Sequence, residues 1–200
     1  MNKIAVLGTG NVGVTIGSKL IEVGHTVMMG SRTAENEKVK AFVAKHDGQA
    51  SAGTFADATA FGEIIFNCTV GVGSFEALTM AGEKNINGKI IVDIANPLDF
   101  SKGMPPSLAI CNTNSLGEEI QRAFPLTKVI KALNTMWCGL MVKPKMINGG
   151  DRNTFLSGND ADSKEKVKEI LKSLGWSEKT SSTWVTLPKQ ELLKCIFHFG

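Results

Sequence analysis

Short apolar runs alternate with amphipathic segments along most of the chain. Residues 4–7, 64–70 and 90–95 are largely apolar and have the length of strands that are buried on both faces. Segments of helical periodicity separate such runs, which is the order expected for a parallel sheet covered by helices on both faces. The pattern therefore predicts the α/β class, with a doubly wound parallel sheet.

The same pattern predicts where most elements begin and end. Val12 and Ile16 recur at helical spacing, and Gly24 ends that helix. Ser115 and Glu118 form a capping box in front of a later helix. The predicted strands are 4–7, 25–29, 50–53, 64–70, 90–95, 129–133 and 155–156. The later predicted helices are 34–45, 115–125, 163–174 and 190–199, with a strand or loop at 184–187.

A glycine-rich motif follows the first predicted strand directly. In a dinucleotide-binding turn, the first glycine allows the tight turn, the second admits the pyrophosphate, and the third lets the helix pack on the sheet. The helix that begins there directs unpaired N–H groups and its positive dipole end at the phosphates. This order of strand, motif, helix and strand predicts a Rossmann fold. We expect the cofactor to bind at Gly8, Thr9, Gly10, Asn11, Val12 and Gly13.

The end of the second predicted strand indicates which dinucleotide binds. A site for NAD has Asp or Glu about 20 residues after the first glycine, where the carboxylate accepts a hydrogen bond from the adenosine ribose. Here Ser31 and Thr33 supply hydroxyl groups, and Arg32 supplies a permanently charged fork that suits a phosphate. These residues predict NADP(H) as the cofactor.

Ligands of open parallel sheets bind beyond the carboxyl ends of the strands, so the following loops carry the remaining candidates. A second glycine-rich stretch follows the fourth strand, and polar amides follow the fifth and sixth. We expect the nicotinamide half of the cofactor near Thr69, Val70, Gly71, Asn96 and Asn134. Met136 and Trp137 are placed to wall a flat aromatic substrate.

The sequence contains no recognisable acid–base machinery. No Ser/His/Asp set, metal-spaced cluster or paired carboxylates stand out, so we assign no catalytic residue and no metal site. His25 and His46 are expected to be structural or solvated, whereas His198 fits either role. This absence is compatible with hydride transfer between two aromatic rings, where catalysis consists mainly of positioning.

Composition excludes several other classes of protein. Net charge is +3 from 22 basic and 19 acidic residues, without the basic stripe that nucleic acid requires. Charged residues interrupt every apolar stretch before it reaches the length of a bilayer span. The four cysteines lack C-x-x-C spacing and are expected to be reduced thiols. We therefore expect a cytoplasmic protein whose substrates are small molecules, with neither nucleic acid nor membrane as a partner.

The pattern changes after residue 136. Pro144, Gly149 and Gly150 mark a linker, and the final segment at 190–199 is too apolar to stand alone. We expect an NADP-binding Rossmann domain at 1–136 and a small C-terminal extension at 137–200 that completes the substrate cleft. The apolar final segment also predicts a homodimer.

Four stretches resemble a known family. They are I-A-V-L-G-T-G-N-V-G, G-H-T-V-M-M-G-S-R-T, S-L-G-E-E-I-Q-R-A-F-P and V-I-K-A-L-N-T-M. Together they resemble the NADPH-dependent reductases of the deazaflavin coenzyme F(420), and they are similar to the reductase domains of the six-transmembrane ferric reductases. The resemblance covers residues 1–136 well and the remainder loosely.

The resemblance implies that Thr9, Ser31 and Arg32 hold the adenosine end of NADP. The loops at Val70 and Asn134 would then lie along the nicotinamide half. Family members that bind deazaflavin often carry a basic residue shortly after G-S-R, and the nearest residues here are Asn36 and Lys38.

We therefore expect an NADP(H)-dependent oxidoreductase that moves a hydride between nicotinamide and a flat second substrate such as a deazaflavin or flavin. A ferric chelate or a small imine suits the residues almost as well. Because no acid–base set is present, a second hypothesis stays open: a regulatory protein that senses NADP(H) without turnover.

Overall fold

Six parallel strands and two strands of opposite direction form the central sheet of the protein. The computed structural model describes residues 1–46, 48–147, 149 and 153–177, and the backbone of 181–183. The sheet strands are β1 (Lys3–Leu7), β2 (Thr26–Ser31), β3 (Ala50–Thr54), β4 (Ile64–Asn67), β5 (Ile90–Asp93), β8 (Lys128–Ala132), β9 (Thr154–Ser157) and β10 (Ser181–Thr183). A separate antiparallel pair consists of β6 (Leu98–Asp99) and β7 (Ser107–Leu108).

The strand order is β10-β9-β8-β5-β4-β1-β2-β3. β1 lies inside the sheet, with Val6 opposite Met29 of β2 on one side and opposite Phe66 of β4 on the other. The carboxyl ends of β1 to β5 and of β8 therefore lie along one edge. The loops that carry the predicted site residues all leave from this edge.

Helices cover both faces of the sheet. They are α1 (Asn11–Glu22), α2 (Glu37–Lys45), α3 (Phe55–Phe61), α4 (Ser74–Ala81), α5 (Glu83–Ile86), α6 (Leu116–Ala123), α7 (Cys138–Val142) and α8 (Ala161–Ser173). One core cluster joins α1, α2, α7 and α8 to the sheet through Ile16, Phe42, Met141 and Leu171. The other cluster joins α3, α4, α5 and α6 to the sheet through Ala58, Leu78, Ile86 and Ile120. The Rossmann architecture that the sequence predicts is confirmed.

Side-chain caps fix several helix starts. Ser115 accepts a hydrogen bond from the Glu118 backbone N–H at 3.3 Å, which is one half of the predicted capping box. The other half does not form, because the Glu118 carboxylate accepts from the Ser115 hydroxyl and the Ser115 backbone N–H donates to Oδ1 of Asn114. At α3, which the sequence analysis did not predict, Thr54 and Asp57 cap each other's backbone at 3.1 and 2.9 Å. The bonds from Thr54 also lower the pKa of Asp57.

Some boundaries differ from the predicted ones. α2 begins at Glu37 rather than at residue 34, because the Asn36 side chain accepts from the backbone N–H of Lys38 and caps the helix there. β4 and β5 end at Asn67 and Asp93, before the apolar runs end, and both of these side chains are buried. β9 is antiparallel to β8, so the sheet is not wholly parallel.

The C-terminal part adds to the main sheet. β9 pairs with β8, and Val167 of α8 belongs to the same core cluster as Ile16 of α1. The predicted elements at 184–187 and 190–199 lie outside the described residues, as do His198 and Cys195. The domain division at residue 136 and the homodimer stay predictions. Among the helices of the described ranges, none has the length and hydrophobicity that a bilayer crossing requires.

Candidate functional site

Gly8 and Gly13 hold the turn between β1 and α1 in a form that admits no side chain. Gly8 has a φ angle of 110°, and a Cβ there would lie 2.6 Å from the carbonyl oxygen of Cys68. A Cβ on Gly13 would lie 2.0 Å from the carbonyl oxygen of Gly8. The turn is therefore packed tightly against the end of β4, and α1 starts close to the sheet.

Gly10 has a different environment, because a Cβ there would meet no atom of the described chain within 4 Å. Gly10 is the N-cap of α1, makes no side-chain cap bond, and is followed by a first turn without acidic residues. The unpaired N–H groups and the positive end of the helix dipole therefore face open space. A pyrophosphate fits this cradle, because its oxygens can approach the backbone where a side chain would otherwise stand.

A cleft of about 410 Å³ opens beside the cradle, over the carboxyl ends of β1, β2 and β4. We call it the cofactor cleft. Its lining includes the predicted site residues Gly8, Thr9, Gly10, Ser31, Arg32, Thr33, Thr69 and Val70. The other predicted residues are not part of its lining: Asn11, Val12, Gly13, Gly71, Asn96 and Asn134.

Arg32 stands at the mouth of the cofactor cleft, and 66% of its side chain is exposed. Its Nη2 lies 3.3 Å from Oε2 of Glu76 on α4. A Cβ on Gly73, which also lines the cleft, would be 4.0 Å from Nη2. The guanidinium therefore spans the mouth from β2 to α4, where an anion can reach it.

Ser31 and Thr33 have unequal environments. Ser31 is buried, and its hydroxyl donates to the backbone carbonyl of Thr33. The hydroxyl hydrogen of Ser31 is thus used inside the turn that carries Arg32, whereas Thr33 is exposed. Ser31 shapes the backbone of this part of the cleft in addition to lining it.

A buried polar network lies at the carboxyl ends of β4, β5 and β8. Nζ of Lys131 lies 2.8 Å from Oδ2 of Asp93, and both side chains are almost completely buried. Asn67 Nδ2 donates to Oδ1 of Asp93 at 2.8 Å and to the Ser74 hydroxyl at 3.0 Å. The Thr69 hydroxyl donates to Oδ1 of Asn67 at 2.7 Å. The network therefore connects a buried ion pair to a residue that lines the cofactor cleft.

Of the members of this network, Thr69 alone was among the predicted site residues. Two charged residues in the apolar runs could have indicated this network. Asp93 lies at the end of one run, and Lys131 lies inside the next. Buried charges need partners, and two such charges on neighbouring strands can supply each other. Lys131 also donates to the backbone carbonyl of Ala95, so it fixes the turn that leads to Asn96.

The loops after β4, β5 and β8 meet one another. Asn96 Nδ2 donates to the backbone carbonyl of Asn134 at 2.7 Å, and Asn134 Nδ2 donates to Oδ1 of Asn96 at 3.2 Å. Leu133, directly before Asn134, has a φ angle of 59°, which turns the chain sharply. A Cβ on Gly71 would lie 2.1 Å from the carbonyl oxygen of Asn96. The structure thus brings together the three predicted loops of the nicotinamide half.

Met136 and Trp137 have different environments in the structure. Met136 packs against the core cluster that contains α1 and α7. Trp137 is 69% exposed and lines a second cleft next to the glycine cradle. Of the two residues predicted to wall a flat aromatic substrate, Trp137 is therefore the exposed one.

The described histidines do not line the cofactor cleft. His25 Nδ1 accepts a hydrogen bond from the Asn2 backbone N–H at 3.2 Å, and burial lowers its pKa. His46 Nε2 lies 2.8 Å from the Ser18 hydroxyl, and burial lowers its pKa as well. Both residues tie elements together, as expected of structural histidines.

Cys68 lines the cofactor cleft but has the character of a structural thiol. Burial, with the Asp93 carboxylate as a second cause, raises the pKa of Cys68 far above its ordinary range. Within the part of the chain that the structure describes, no group of three or more His, Cys, Asp or Glu residues is arranged to hold a metal ion.

The Rossmann sheet carries an open glycine cradle and an arginine in place of the ribose-binding carboxylate, and polar loops converge beside them. These features define a class, the NADP-dependent oxidoreductases. The family model for coenzyme F(420)-dependent NADP oxidoreductase matches residues 3–97. The crystal structure of a candidate F(420)-dependent NADP reductase from Arthrobacter sp. FB24 is 44% identical and has a TM-score of 0.92. The match covers 99% of this chain and 91% of that one. The chain belongs to the family of coenzyme F(420)-dependent NADP oxidoreductases.

More distant similarities also extend over most of the chain. The metalloreductase STEAP3 of Rattus norvegicus is 26% identical over 178 residues, which are 88% of this chain and 33% of STEAP3. The chain therefore spans about a third of the length of this curated relative. A reductive aminase from Aspergillus terreus is 17% identical with a TM-score of 0.69, covering 99% of this chain and 60% of that one.

The family assignment confirms two predictions from the sequence. The protein is an NADP-dependent oxidoreductase, and its cofactor is NADP(H). The resemblance on which the sequence analysis relied is confirmed as well.

Proposed function

We propose that the protein transfers a hydride between NADP(H) in the cofactor cleft and a flat second substrate, with a deazaflavin or flavin as the leading candidate. The observation that carries this proposal is the meeting of three loops beside the glycine cradle. Asn96 and Asn134 bond each other across two of these loops, and the third packs Gly71 against Asn96. Such an edge can hold one planar ring in a fixed position.

Each part of the cofactor has residues of matching chemistry. The open N-terminus of α1 at Gly10 suits the pyrophosphate, and Arg32 suits the 2′-phosphate. The amides of Asn96 and Asn134 can donate to and accept from a carboxamide, because their exchange of bonds leaves further donor and acceptor capacity. The nicotinamide supplies the hydride chemistry when it is bound.

The protein's part in this chemistry is positioning and the exclusion of water. Hydride transfer requires the two rings at roughly 3–3.5 Å, which a rigid site favours. The buried network beneath Thr69 rigidifies the floor, since both members of its ion pair have partners. Val70, which lines the cleft, exposes 68% of its surface and can cover a bound ring.

The family assignment favours turnover over sensing. A regulatory protein without turnover was the second hypothesis from the sequence, and it rested on the missing acid–base set. Transfer of a hydride between aromatic rings does not require such a set from the protein. A ferric chelate and a small imine are less favoured acceptors, because neither has to carry a flat ring system that could stack on the exposed Trp137.

An anaerobic absorbance assay tests the proposal. NADPH is mixed with the protein and either deazaflavin or FMN, and the loss of the acceptor's visible band is followed. Bleaching of the deazaflavin or of FMN supports hydride transfer to a planar acceptor. NADPH that binds tightly without bleaching either ring contradicts the proposed substrate class.

A further inference from the structure

Thr69 is the residue through which the buried polar network reaches the cofactor cleft. Its side chain is partly buried and lines the cleft, whereas Asn67, Ser74 and Asp93 behind it are completely buried. The hydrogen bonds of this network have a fixed direction, because they start at a carboxylate, which can only accept. That direction decides whether the Thr69 hydroxyl can donate to a ligand or only accept from one.

The amide of Asn67 is oriented from behind by Asp93. Nδ2 of Asn67 lies 2.8 Å from Oδ1 of Asp93, whose carboxylate is paired with Lys131. The Asn67 amide therefore turns its NH2 group to Asp93 and its carbonyl oxygen to Thr69. The backbone N–H of Thr69 donates to the same oxygen at 3.4 Å, which favours the same orientation. The amide thus offers the Thr69 hydroxyl an acceptor.

Both bonds of the Thr69 hydroxyl follow from this orientation. The hydroxyl donates its hydrogen to Oδ1 of Asn67 at 2.7 Å. Oγ of Ser74 lies 2.9 Å from Oγ1 of Thr69, and it accepts from Nδ2 of Asn67 at 3.0 Å. Since the hydrogen of Thr69 is already in use, the Ser74 hydroxyl donates to Thr69. One lone pair of Thr69 then remains, for which the described residues supply no donor.

We propose that Thr69 is a specificity-determining residue that accepts a hydrogen bond from a donor of the dinucleotide, either a ribose hydroxyl or the carboxamide NH2 group, and binds no phosphate. This inference rests on the binding of NADP(H) in the cofactor cleft, as the proposed function has it. A phosphate oxygen accepts only, so it would face the lone pair of Thr69 without a hydrogen between them. The cleft would then separate its contacts by polarity, with donors at Thr69 and anions at Gly10 and Arg32.

Three ligands that share the 2′-phosphate and both phosphates of the pyrophosphate test the proposal. They are NADP⁺, 2′-phospho-ADP-ribose, which lacks the nicotinamide, and adenosine 2′-phosphate 5′-diphosphate, which lacks the second ribose as well. Isothermal titration calorimetry measures their dissociation constants for the wild type and for Thr69→Val, which keeps the shape of the side chain without its hydroxyl. We expect Thr69→Val to weaken NADP⁺ about three- to tenfold and the adenosine diphosphate ligand less than about twofold. Thr69→Ser keeps the hydroxyl and should stay within about twofold of the wild type for every ligand.

The pattern of losses in Thr69→Val identifies the donor. A loss confined to NADP⁺ assigns it to the carboxamide, and a loss shared with 2′-phospho-ADP-ribose assigns it to the ribose. Equal losses for all three ligands would show that Thr69 binds a phosphate, and either that result or no loss for any ligand would overturn the proposal. Thr33→Val is the matched control, because it removes an exposed hydroxyl from the same cleft beside Arg32. It should change all three dissociation constants by the same factor, since all three ligands carry the 2′-phosphate.

Neutron diffraction from crystals of the wild type in heavy water tests the direction of the network without any substitution. We expect the deuterium of Thr69 on the line to Oδ1 of Asn67, and that of Ser74 on the line to Oγ1 of Thr69. A Thr69 deuterium that points into the cleft would overturn the proposal.

Failure of this inference is distinguishable from failure of the proposed function. If Arg32→Ala weakens all three ligands and Thr69→Val weakens none, the role of Thr69 is wrong while cofactor binding in the cleft is supported. If neither variant weakens any ligand, the assignment of the cleft to the cofactor is wrong, and the role of Thr69 is wrong with it. Dissociation constants do not depend on turnover, so a failure to reduce any acceptor would contradict hydride transfer alone.

Discussion

Nη2 of Arg32 lies 3.3 Å from Oε2 of Glu76, so the residue assigned to the cofactor's 2′-phosphate already faces a carboxylate. Both side chains are more than half exposed, and pairs of this kind contribute about 0.2–1 kcal/mol. An incoming 2′-phosphate meets the guanidinium it needs together with a like charge. We therefore expect Glu76 to oppose NADPH binding while it holds Arg32 at the mouth of the cleft.

Removal of the Glu76 charge should strengthen NADPH binding. We expect Glu76→Gln to lower the NADPH dissociation constant about two- to fivefold, since it removes a weak competitor, with a smaller effect on NADH. Isothermal titration calorimetry at low salt measures both constants. Glu169→Gln, which removes an exposed carboxylate from α8, is the control and should leave both constants as they are. Weaker NADPH binding in Glu76→Gln would contradict this role and make Glu76 a support for Arg32.

Removal of the Arg32 guanidinium should discriminate between the two dinucleotides. Arg32→Ala is expected to weaken NADPH by about 1.5–3 kcal/mol, roughly 10- to 150-fold, because a charge-assisted hydrogen bond to the phosphate is lost. NADH lacks that phosphate and should lose less than about twofold. Arg32→Lys keeps the charge but not the fork, so an intermediate loss is expected. Equal losses for NADPH and NADH in Arg32→Ala would remove Arg32 from the phosphate site.

The buried ion pair should be costly to break from one side. Lys131→Met leaves the Asp93 carboxylate buried without its cation, and we expect a loss of about 3–5 kcal/mol in the free energy of unfolding. Urea denaturation measures it. Adding Asp93→Asn to Lys131→Met removes the orphaned charge, and the double variant should regain part of the loss. Additive losses from the two substitutions would mean that the two charges do not stabilise each other.

His25 should make stability depend on pH. Burial first, and the N-terminal amino group second, hold the pKa of His25 below its ordinary value of 6.5. As pH falls through that value, the unfolded chain takes up a proton that the folded chain does not, so the free energy of unfolding falls. The contribution of neutral His25 is complete above about pH 6.5 and is lost as pH falls through its lowered pKa.

The change is measured by urea denaturation at about pH 7.5 and about pH 5.5. The wild type should lose more stability across this interval than His25→Gln, in which the titrating ring is absent. Protonation would also remove the acceptor that the Asn2 backbone N–H uses at Nδ1. Identical losses in the two proteins would mean that His25 does not carry the dependence.

Local patterns were sufficient to predict the frame of the protein. β1, the glycine turn and α1 follow from three glycines behind a buried run, and Ser115 caps α6 as its spacing to Glu118 predicts. The short helices α3 and α4 were not predicted, because eight or fewer residues show little helical periodicity. The capping box of Thr54 and Asp57 is a sequence signal that could have indicated the start of α3. The direction of β9 could not be predicted, since an apolar run does not encode whether it pairs parallel or antiparallel.

Two parts of the candidate site could be predicted from the sequence: the glycine motif, and the arginine that stands where an NAD site has a carboxylate. The open cradle at Gly10 and the arginine at 32 are of this kind, because motif spacing carries them. The Lys131–Asp93 pair and the exchange between Asn96 and Asn134 depend on which strands are neighbours. In the sequence, Lys131 is 38 positions from Asp93 and 36 positions from Ala95. The β5–β8 pairing brings it within hydrogen-bonding distance of both, and no local sequence pattern predicts such contacts.

The most direct test of hydride transfer uses NADPH that carries deuterium at carbon 4 of the nicotinamide, on each face in turn. The protein is mixed anaerobically with this NADPH and deazaflavin, and the reduced deazaflavin is analysed by mass spectrometry. We expect one labelled face to deliver deuterium to the acceptor and the other not to, because a fixed ring presents one face. Reduced deazaflavin without deuterium from either face, or no reduced deazaflavin at all, would contradict it.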